Sequence, residues 1–247
     1  VCGLGHAHPA IASAIAEQIT DYLCTGEIRN AVNFPSVSAE LLAVIQPYVT
    51  LAEKLGAFQA QIVSGGIKEV HVEYSGEILN SSVAPITISL LKGLLTPVLK
   101  ENINYINAPV IAKERGIRVI ESRSSEVKDF TSMIAVRLKT SKETRFAAGA
   151  IFGRQDPRIV RIDKFTMEVI PEGNMLVLYN CDRPGVIGNV GMTLGNNNIN
   201  IARLQLSRQQ VDGKALIVLS TDSSVPEKVI ADLQKLPNVL SVTQLEV

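Results

Sequence analysis

The chain has 247 residues, which is enough for one large domain or two of ordinary size. Hydrophobic residues make up 46% and charged residues 19% of it, and its 24 basic side chains equal its 24 acidic ones. This balance excludes a global field that would draw in nucleic acid or an anionic membrane surface, so neither is expected as a partner. No apolar run approaches the ~20 residues of a membrane helix, and no signal-peptide pattern is present.

The cysteines are few and widely spaced, at Cys2, Cys24 and Cys181. Such spacing gives neither a disulfide framework nor a metal cluster, and it favours a reducing compartment. We therefore expect a cytoplasmic protein with no metal site. The pair His6 and His8 lacks a third ligand nearby, so an ordinary surface feature is expected there. Because the chain begins with Val, we also expect it to be a truncated or excised piece.

The first 56 residues are predicted to form linker helices. The apolar periodicity predicts a helix over 6–25, followed by an extended joint over 29–36. A second helix is predicted to follow the joint and to kink or restart at Pro47. It is expected to end at Gly56, because Gly adopts the left-handed conformation that closes helices.

Residues 57–171 are predicted to form a separate α/β unit. Alternation from Val70 to Ser75 indicates a half-buried strand. An apolar helix is expected over 83–100 and a shorter helix over 107–115. The further strand candidates are 117–121, 131–139, 144–152, 158–162 and 166–170.

Residues 172–247 have the order β-α-β-β-α-β, which predicts a ferredoxin-like sandwich. Its first helix is expected to begin at Pro184, whose missing N–H costs nothing there, and to end at Gly195 and the asparagines after it. The second strand is expected to begin at Ile199. The Asp212-Gly213 dipeptide predicts a tight hairpin between the second and third strands.

Polar residues gather where the first strand of this last domain meets its first helix. Asn180 and Asp182 are expected on the same face of the strand, because side chains alternate. The free N–H groups of the helix could hold a carboxylate while the two side chains take an ammonium, which fits a free amino acid. Asn200 could supply another hydrogen bond. The alternative is that Asp182 only caps the helix and the asparagines only make turns.

The segment Asn180-Cys-Asp-Arg-Pro-Gly-Val-Ile-Gly-Asn-Val-Gly, followed by Asn198-Ile-Asn-Ile-Ala, resembles an ACT domain. More narrowly, it resembles the C-terminal ACT domain of D-3-phosphoglycerate dehydrogenase, the first enzyme of serine synthesis. The resemblance implies that serine binds as an inhibitor and that ACT domains self-associate. The ligand-binding residues it implies are Asn180, Asp182, Arg183, Pro184, Gly185, Val186, Ile187 and Asn200.

A second resemblance covers the earlier part of the chain. Segments 16–18, 30–33 and 35–37 are similar to the region where the catalytic part of this dehydrogenase meets its regulatory part, and 51–56 is similar to the start of its intervening domain. Phe152-Gly153 and the stretch 157–162 resemble its allosteric substrate-binding domain. The resemblance therefore implies an α+β chain in which N-terminal linker helices (1–56) precede an intervening domain (57–171) and an ACT domain (172–247).

The catalytic features of an NAD-dependent oxidoreductase are missing from the sequence. Gly3 stands where the family has its catalytic His, and no strand–Gly-x-Gly-x-x-Gly–helix unit is present. Gly185, Gly188 and Gly191 have the wrong spacing and are expected to form a flat helix face for close packing. We therefore expect no catalytic residue and no cofactor in this chain, although the presumed parent enzyme uses NAD.

Arg158, Arg161 and Lys164 make one short region basic within a neutral chain. Arginine and lysine bind phosphate groups, so an anionic effector is one interpretation. In some members of the family a basic residue near Arg158 accompanies a phosphate-binding site. The other interpretation is a charged strand edge that prevents pairing with further chains.

These observations leave three functional hypotheses. The first is the regulatory part of D-3-phosphoglycerate dehydrogenase, with L-serine or another small amino acid as ligand and homo-oligomerisation through the ACT domain. The second is a stand-alone amino-acid-sensing module. The third is the regulatory part of an L-serine dehydratase, although the scattered cysteines cannot by themselves supply an iron–sulfur cluster.

Overall fold

The computed structural model describes residues 9–25, 39–99, 101–125 and 130–247. The histidine pair at positions 6 and 8 and the joint over 29–36 lie outside these residues. The helices are α1 Pro9–Thr25, α2 Ala39–Ile62, α3 Ala84–Leu95, α4 Ala108–Glu114, α5 Val186–Asn196 and α6 Glu227–Gln234. The strands are β1 Ile67–Gly76, β2 Arg118–Ser124, β3 Ser132–Thr140, β4 Thr144–Phe152, β5 Asp156–Ile162, β6 Phe165–Val169, β7 Asn174–Cys181, β8 Ile201–Arg208, β9 Lys214–Thr221 and β10 Val239–Glu246.

The first unit is built on a six-stranded sheet of order β2-β1-β3-β4-β5-β6. β1 and β2 are parallel, and the other neighbours are antiparallel. A parallel pair needs a long crossover, which α3 and α4 supply. Alternate residues of β1, such as Val72 and Tyr74, are fully buried in one core with Phe58 of α2 and Leu90 of α3. The expected mixed α/β unit is confirmed.

The predicted helix end at Gly56 is wrong, because α2 continues to Ile62 and passes through Pro47. Gly56 serves a close helix crossing instead of a helix end. A Cβ at Gly56 would lie 2.7 Å from the backbone nitrogen of Leu94 in α3. A Cβ at Gly93 of α3 would in turn lie 2.7 Å from the carbonyl carbon of Glu53. The two glycines therefore let the backbones of α2 and α3 touch. The predicted helix over 83–100 is correspondingly shorter, since α3 ends at Leu95.

The second unit is the expected ferredoxin-like sandwich, which is thereby confirmed. Its four-stranded sheet has the order β10-β7-β9-β8. Leu176 and Leu178 of β7 pack with Val190 of α5 and Leu233 of α6 in one core. Both helices thus cover the same face of the sheet.

Two local expectations in this unit are wrong, namely the starts of α5 and of the second strand, whereas the expected end of α5 among the asparagines after Gly195 is confirmed. α5 begins at Val186 and not at Pro184, because Gly185 takes a left-handed conformation (φ 91°) just before the helix. Gly195 lies inside α5, and Asn198 provides the left-handed residue (φ 56°) that ends this segment. The second strand accordingly starts at Ile201.

The hairpin between β8 and β9 is also longer than expected. β8 ends at Arg208 and β9 begins at Lys214, so the loop spans 209–213 instead of the Asp212-Gly213 pair alone. The N–H of Gly213 donates to Gln210 O at 3.1 Å, and Asp212 has a left-handed backbone (φ 59°). A five-residue loop, which contains a turn closed by the bond from Gly213 to Gln210, therefore replaces the expected two-residue connection.

The glycine face of α5 is not packed within this chain. A Cβ placed at Gly185, Gly188 or Gly191 would meet nothing within 4 Å among the described atoms. Ile187 and Met192 on the same helix are exposed. The expected close packing on this face is therefore absent between the described parts of one chain.

The two units share a continuous apolar core. Met175, Val177 and Leu245 of the second sheet belong to the same buried cluster as the helices of the first unit. Helix α2 also fastens the edge strand β10: Gln61 Nε2 donates to Glu246 O at 2.8 Å, and Glu246 N donates to Gln61 Oε1 at 3.2 Å. The amide of Gln61 thus satisfies two backbone groups of an open sheet edge.

The helix crossing generates a stability prediction. Gly93→Ala should lower the free energy of unfolding by about 1–3 kcal/mol, because the added methyl meets the backbone of α2, which cannot shift cheaply. Chemical denaturation monitored by circular dichroism measures the change. Gly195→Ala is the matched control, since its methyl would meet open space inside α5 and should be neutral or stabilising. Equal effects of the two substitutions would contradict this account of the crossing.

Candidate functional site

Strand β7 places Asn180 at the end of the buried face that the helices cover. Its side chain is only 3% exposed. Asn180 Nδ2 donates to the carbonyl of Cys181 at 2.8 Å, whereas Asn180 Oδ1 accepts no hydrogen bond. It is the one buried side-chain acceptor without a donor in residues 172–247, all of which are described. A buried carbonyl oxygen of this kind normally has a partner, so Asn180 Oδ1 is available to a donor from a water molecule or a ligand.

Asp182 follows directly after the strand and brings a carboxylate to the same end. Its backbone N–H donates to Gly213 O at 2.8 Å, which ties it to the β8–β9 loop. Its Oδ2 accepts from Arg208 Nη1 at 3.2 Å. The carboxylate therefore faces a guanidinium and does not cap the helix.

The N-terminus of α5 completes this end of the sheet. The N–H groups of Ile187 and Gly188 donate to no group of the second unit, every residue of which is described. Val186 turns its side chain into the core. Arg183 is paired with the β8–β9 loop, since its Nη1 donates to Asp212 Oδ1 at 2.7 Å. The helix thus offers backbone N–H donors and the positive end of its dipole to an anion.

The structure does not bring Asn200 to this place. Register pairs Asn180 with Ala215 and Arg208 with Ala215, while Ile201 pairs with Thr221 at the far end of β9. Six strand residues separate the two ends, which is roughly 20 Å. Asn200 Nδ2 instead donates to Asp222 Oδ2 at 2.8 Å. Within one chain, the predicted site residues therefore fall at opposite ends of the sheet.

The other face of β7 carries a polar contact between the two units. Tyr179 OH donates to Asp163 Oδ2 at 2.9 Å, and Arg145 Nη1 donates to the same oxygen at 2.8 Å and to Tyr179 OH at 3.1 Å. Arg145 also lies over the Tyr179 ring, 5.1 Å from its centroid. Burial, followed by the nearby Asp163 charge, raises the pKa of the Tyr179 hydroxyl well above its usual value. Tyr179 therefore stays neutral and acts as a donor.

A cleft of about 930 Å³ opens beside this contact, between the two units. It is lined by more positive than negative side chains, namely Arg137, Arg145, Arg161, Lys164 and Lys214 against Glu143 and Asp163. Both carboxylates already bind Arg145. Arg137 and Arg161 lie over the Phe146 ring, at 5.9 and 5.3 Å from its centroid.

Only two of the three basic residues singled out from sequence meet in this cleft. Arg161 and Lys164 line it. Arg158 lies elsewhere, with its guanidinium 3.5 Å from Glu168 and 4.0 Å from Asp156. Two neighbouring carboxylates therefore compensate the charge of Arg158.

Two features of this region were not predicted from the sequence. Arg208 was missed because a two-residue hairpin places Gln210, and not Arg208, opposite Ala215. The Tyr179–Asp163–Arg145 contact joins residues of different units and leaves no local pattern. The sequence allowed a longer hairpin loop, because Asp-Gly pairs such as Asp212-Gly213 also occur in longer loops. Only that longer loop would have placed Arg208 opposite Ala215.

The fold defines a ferredoxin-like domain attached to a mixed α/β domain, with polar groups gathered at one end of the ferredoxin-like sheet. Comparison with protein families identifies both. Residues 44–163 match the D-3-phosphoglycerate dehydrogenase intervening domain, and residues 175–238 match the ACT domain. The chain therefore belongs to the D-3-phosphoglycerate dehydrogenase family as an intervening domain joined to an ACT domain. The resemblance found in the sequence is confirmed.

Curated relatives cover nearly the whole chain. It is 38% identical over 236 residues to a D-3-phosphoglycerate dehydrogenase of Methanocaldococcus jannaschii, covering 96% of this chain and 45% of that protein. The corresponding enzyme of Synechocystis is 35% identical, with 93% and 42% covered. That of Bacillus subtilis is 30% identical, with 96% and 45% covered. The chain thus spans less than half the length of each of these relatives.

Among solved structures, the ACT domain of the GTP pyrophosphokinase of Chlorobium tepidum matches with a TM-score of 0.26 and 17% identity, covering 30% of this chain and 97% of that one. The family assignment does not rest on it. No helix in the described ranges is long and apolar enough to cross a membrane.

The contact between the units generates a prediction about pH. The pKa of Tyr179 is raised on folding, so its contribution to stability is complete below the unfolded value near 10 and is lost as the pH rises further. Tyr179→Phe should cost about 1–2 kcal/mol at neutral pH, because the Asp163 carboxylate loses a donor. The variant should also lose less stability than wild type above about pH 10. Denaturation curves from pH 7 to 11 measure both; parallel curves would contradict the assignment.

Proposed function

We propose that this chain is the regulatory part of a D-3-phosphoglycerate dehydrogenase and that its ACT domain binds L-serine as a feedback inhibitor. The observation that carries the proposal is the buried, unpaired Oδ1 of Asn180 beside the Asp182 carboxylate. The relatives named above are D-3-phosphoglycerate dehydrogenases. Since this enzyme begins serine synthesis, we expect the end product, L-serine, to be the inhibitor. Reducing conditions in the cytoplasm suit its cysteines.

The chemistry of a small amino acid fits this end of the sheet. An α-ammonium donates up to three hydrogen bonds, and Asn180 Oδ1 and the Asp182 carboxylate are acceptors at the same end of the sheet. An α-carboxylate suits the unused N–H groups of Ile187 and Gly188 at the positive end of α5.

We further propose that the site is completed by a second copy of the chain. β8 is the free edge of its sheet, and edge strands pair readily. Antiparallel pairing of two β8 strands about an axis near Leu204 would set the partner's Asn200 beside Arg208. We expect the second copy of the chain also to bury the open glycine face of α5 and the exposed Leu206 of β8. A two-fold dimer would then hold two such sites.

Serine would regulate by stabilising one arrangement of the units over another, since a ligand shifts an equilibrium only through differential affinity. The segment 171–173, which joins the two units, is held by hydrogen bonds that suit such a role. Lys54 Nζ of α2 donates to Pro171 O at 2.6 Å, and Gly173 exchanges two backbone hydrogen bonds with Val247. A rotation of the ACT domain would therefore carry α2 with it as a rigid body.

Calorimetric titration tests the serine site. Asp182→Asn keeps the shape and removes the charge, so it should weaken serine binding by at least ~10-fold, because a charge-assisted hydrogen bond contributes roughly 1.5–3 kcal/mol. Asn200→Ala should weaken it by a smaller factor. Lys228→Ala, at an exposed position of α6, is the control and should bind as wild type does. Absence of heat with millimolar serine and wild-type protein would reject serine as the ligand.

Light scattering tests the assembly. We expect a dimer or larger oligomer at tens of micromolar chain, and Leu204→Pro should shift it to the monomer, because proline removes a backbone donor from the pairing edge. Circular dichroism must show that the variant remains folded. A wild-type monomer, with or without serine, would contradict the shared site.

We also propose an anionic effector for the cleft between the units, as a second and separate role. The supporting observation is that Arg137, Arg161, Lys164 and Lys214 have no carboxylate within ion-pair distance among the described residues. A phosphomonoester carries about −1.5 to −2 charge near pH 7, which suits this excess.

Thermal shift with inorganic phosphate tests the cleft. Wild type should gain stability with phosphate more than with chloride at equal ionic strength, and Lys164→Gln combined with Arg161→Gln should remove the difference. Lys228→Gln, at an exposed position of α6 outside the cleft lining, is the control for the loss of a single positive charge. Equal shifts in phosphate and chloride would leave only the charged-edge interpretation.

A further inference from the structure

Arg208 occupies the carboxylate that the proposed ligand needs. Its Nη1 lies 3.2 Å from Asp182 Oδ2, and the side chains are 55% and 20% exposed respectively. The pair is thus formed by a half-buried carboxylate and a guanidinium that reaches it from the solvent side. Any cation that binds Asp182 must compete with this guanidinium.

The position of Arg208 follows from the register of the sheet. Arg208 is the last residue of β8 and pairs with Ala215, which pairs on its other side with Asn180. Arg208, Asp182 and the unpaired Asn180 Oδ1 therefore lie along one end of one sheet. The loop over 209–213 follows at once and is tied to Asp182 by the bond from Asp182 N to Gly213 O.

The charges of this pair select among ligands. A ligand with only an amine would bind Asp182 but leave the Arg208 guanidinium without its partner. A ligand with only a carboxylate would bind Arg208 but leave Asp182 half-buried and unpaired, which is costly. A zwitterion satisfies both charges at once: its ammonium replaces Arg208 on Asp182, and its carboxylate accepts from the released guanidinium as well as from the N–H groups of Ile187 and Gly188.

We propose that Arg208 is the specificity-determining residue of the amino-acid site, which it makes selective for zwitterions over simple amines and simple acids. The proposal rests on the proposed function of the ACT domain and deepens it. The planar fork of arginine matches a carboxylate in two parallel hydrogen bonds, so arginine suits this role better than lysine. The unliganded ion pair is then the resting form of the site.

The experiment compares serine with its two halves. Ethanolamine is serine without the carboxylate, and 3-hydroxypropionate is serine without the ammonium. Titration calorimetry of the whole purified chain should show that wild type binds serine far more tightly than either half. Arg208→Gln should weaken serine at least ~10-fold and leave ethanolamine unchanged or tighter, because Asp182 is freed. The ratio of the two affinities should therefore fall at least ~10-fold.

Two further variants secure the interpretation. Arg208→Lys keeps the charge without the fork and should give an intermediate ratio. Arg118→Gln removes an exposed arginine that pairs with Glu69 on the edge of the other sheet, and it should leave every affinity unchanged. Circular dichroism and thermal unfolding establish that each variant is folded.

The outcomes separate the two proposals. Serine binding with an unchanged serine-to-ethanolamine ratio in Arg208→Gln overturns the role of Arg208 and leaves the amino-acid site standing. No binding of serine, glycine or alanine to wild type overturns both. Loss of serine binding together with an equal loss of ethanolamine binding shows a merely structural role and also overturns the proposal.

Discussion

The architecture depends on strand β7 being buried on both faces. Alternate side chains of a strand point to opposite faces, so Leu176 and Leu178 enter the core under α5 and α6, while Met175 and Val177 enter the core shared with α2. A slip of one residue would exchange both sets, so that each core would have to accept side chains that fit the other, and it would carry Tyr179 and Asn180 to the wrong faces. The register of β7 is therefore set by the fit of its apolar residues together with the two polar residues at its end.

This constraint places chemistry on both sides of one short segment. Asn180 ends the helix-covered face with its unpaired oxygen, and Tyr179 ends the opposite face in contact with Asp163 and Arg145. Neighbouring residues of one strand thus belong to the proposed amino-acid site and to the joint with the intervening domain. A displacement of Asn180 by a ligand would be passed directly to Tyr179, and this would connect the proposed site to the domain joint without any long chain of contacts.

Much of the fold could be predicted from the sequence, because periodicity and turn residues are local signals. The β-α-β-β-α-β order and the strands of the intervening domain were correct to within a few residues. Gly56 misled because a glycine that ends a helix and one that allows a helix crossing look alike in sequence; only Leu94 and Glu53, distant in the chain, distinguish them. Pro184 misled because Gly185 after it takes the left-handed turn.

The site was predictable in its residue types and less so in its geometry. Asn180 and Asp182 follow from their position at the strand end, whereas the pairing of Arg208 depends on a hairpin length that Asp212-Gly213 does not fix. Asn200 illustrates a different limit. The resemblance places it in the site, yet the register puts it at the far end of the sheet, so its role requires a second chain.

The most direct test of this account is a crystal structure of the chain with L-serine. We expect the serine ammonium within about 3 Å of Asn180 Oδ1, against Asp182, with the partner's Asn200 at the same ligand. Serine bound elsewhere, or an Asn180 oxygen that remains unpaired in a serine-saturated dimer, would contradict it.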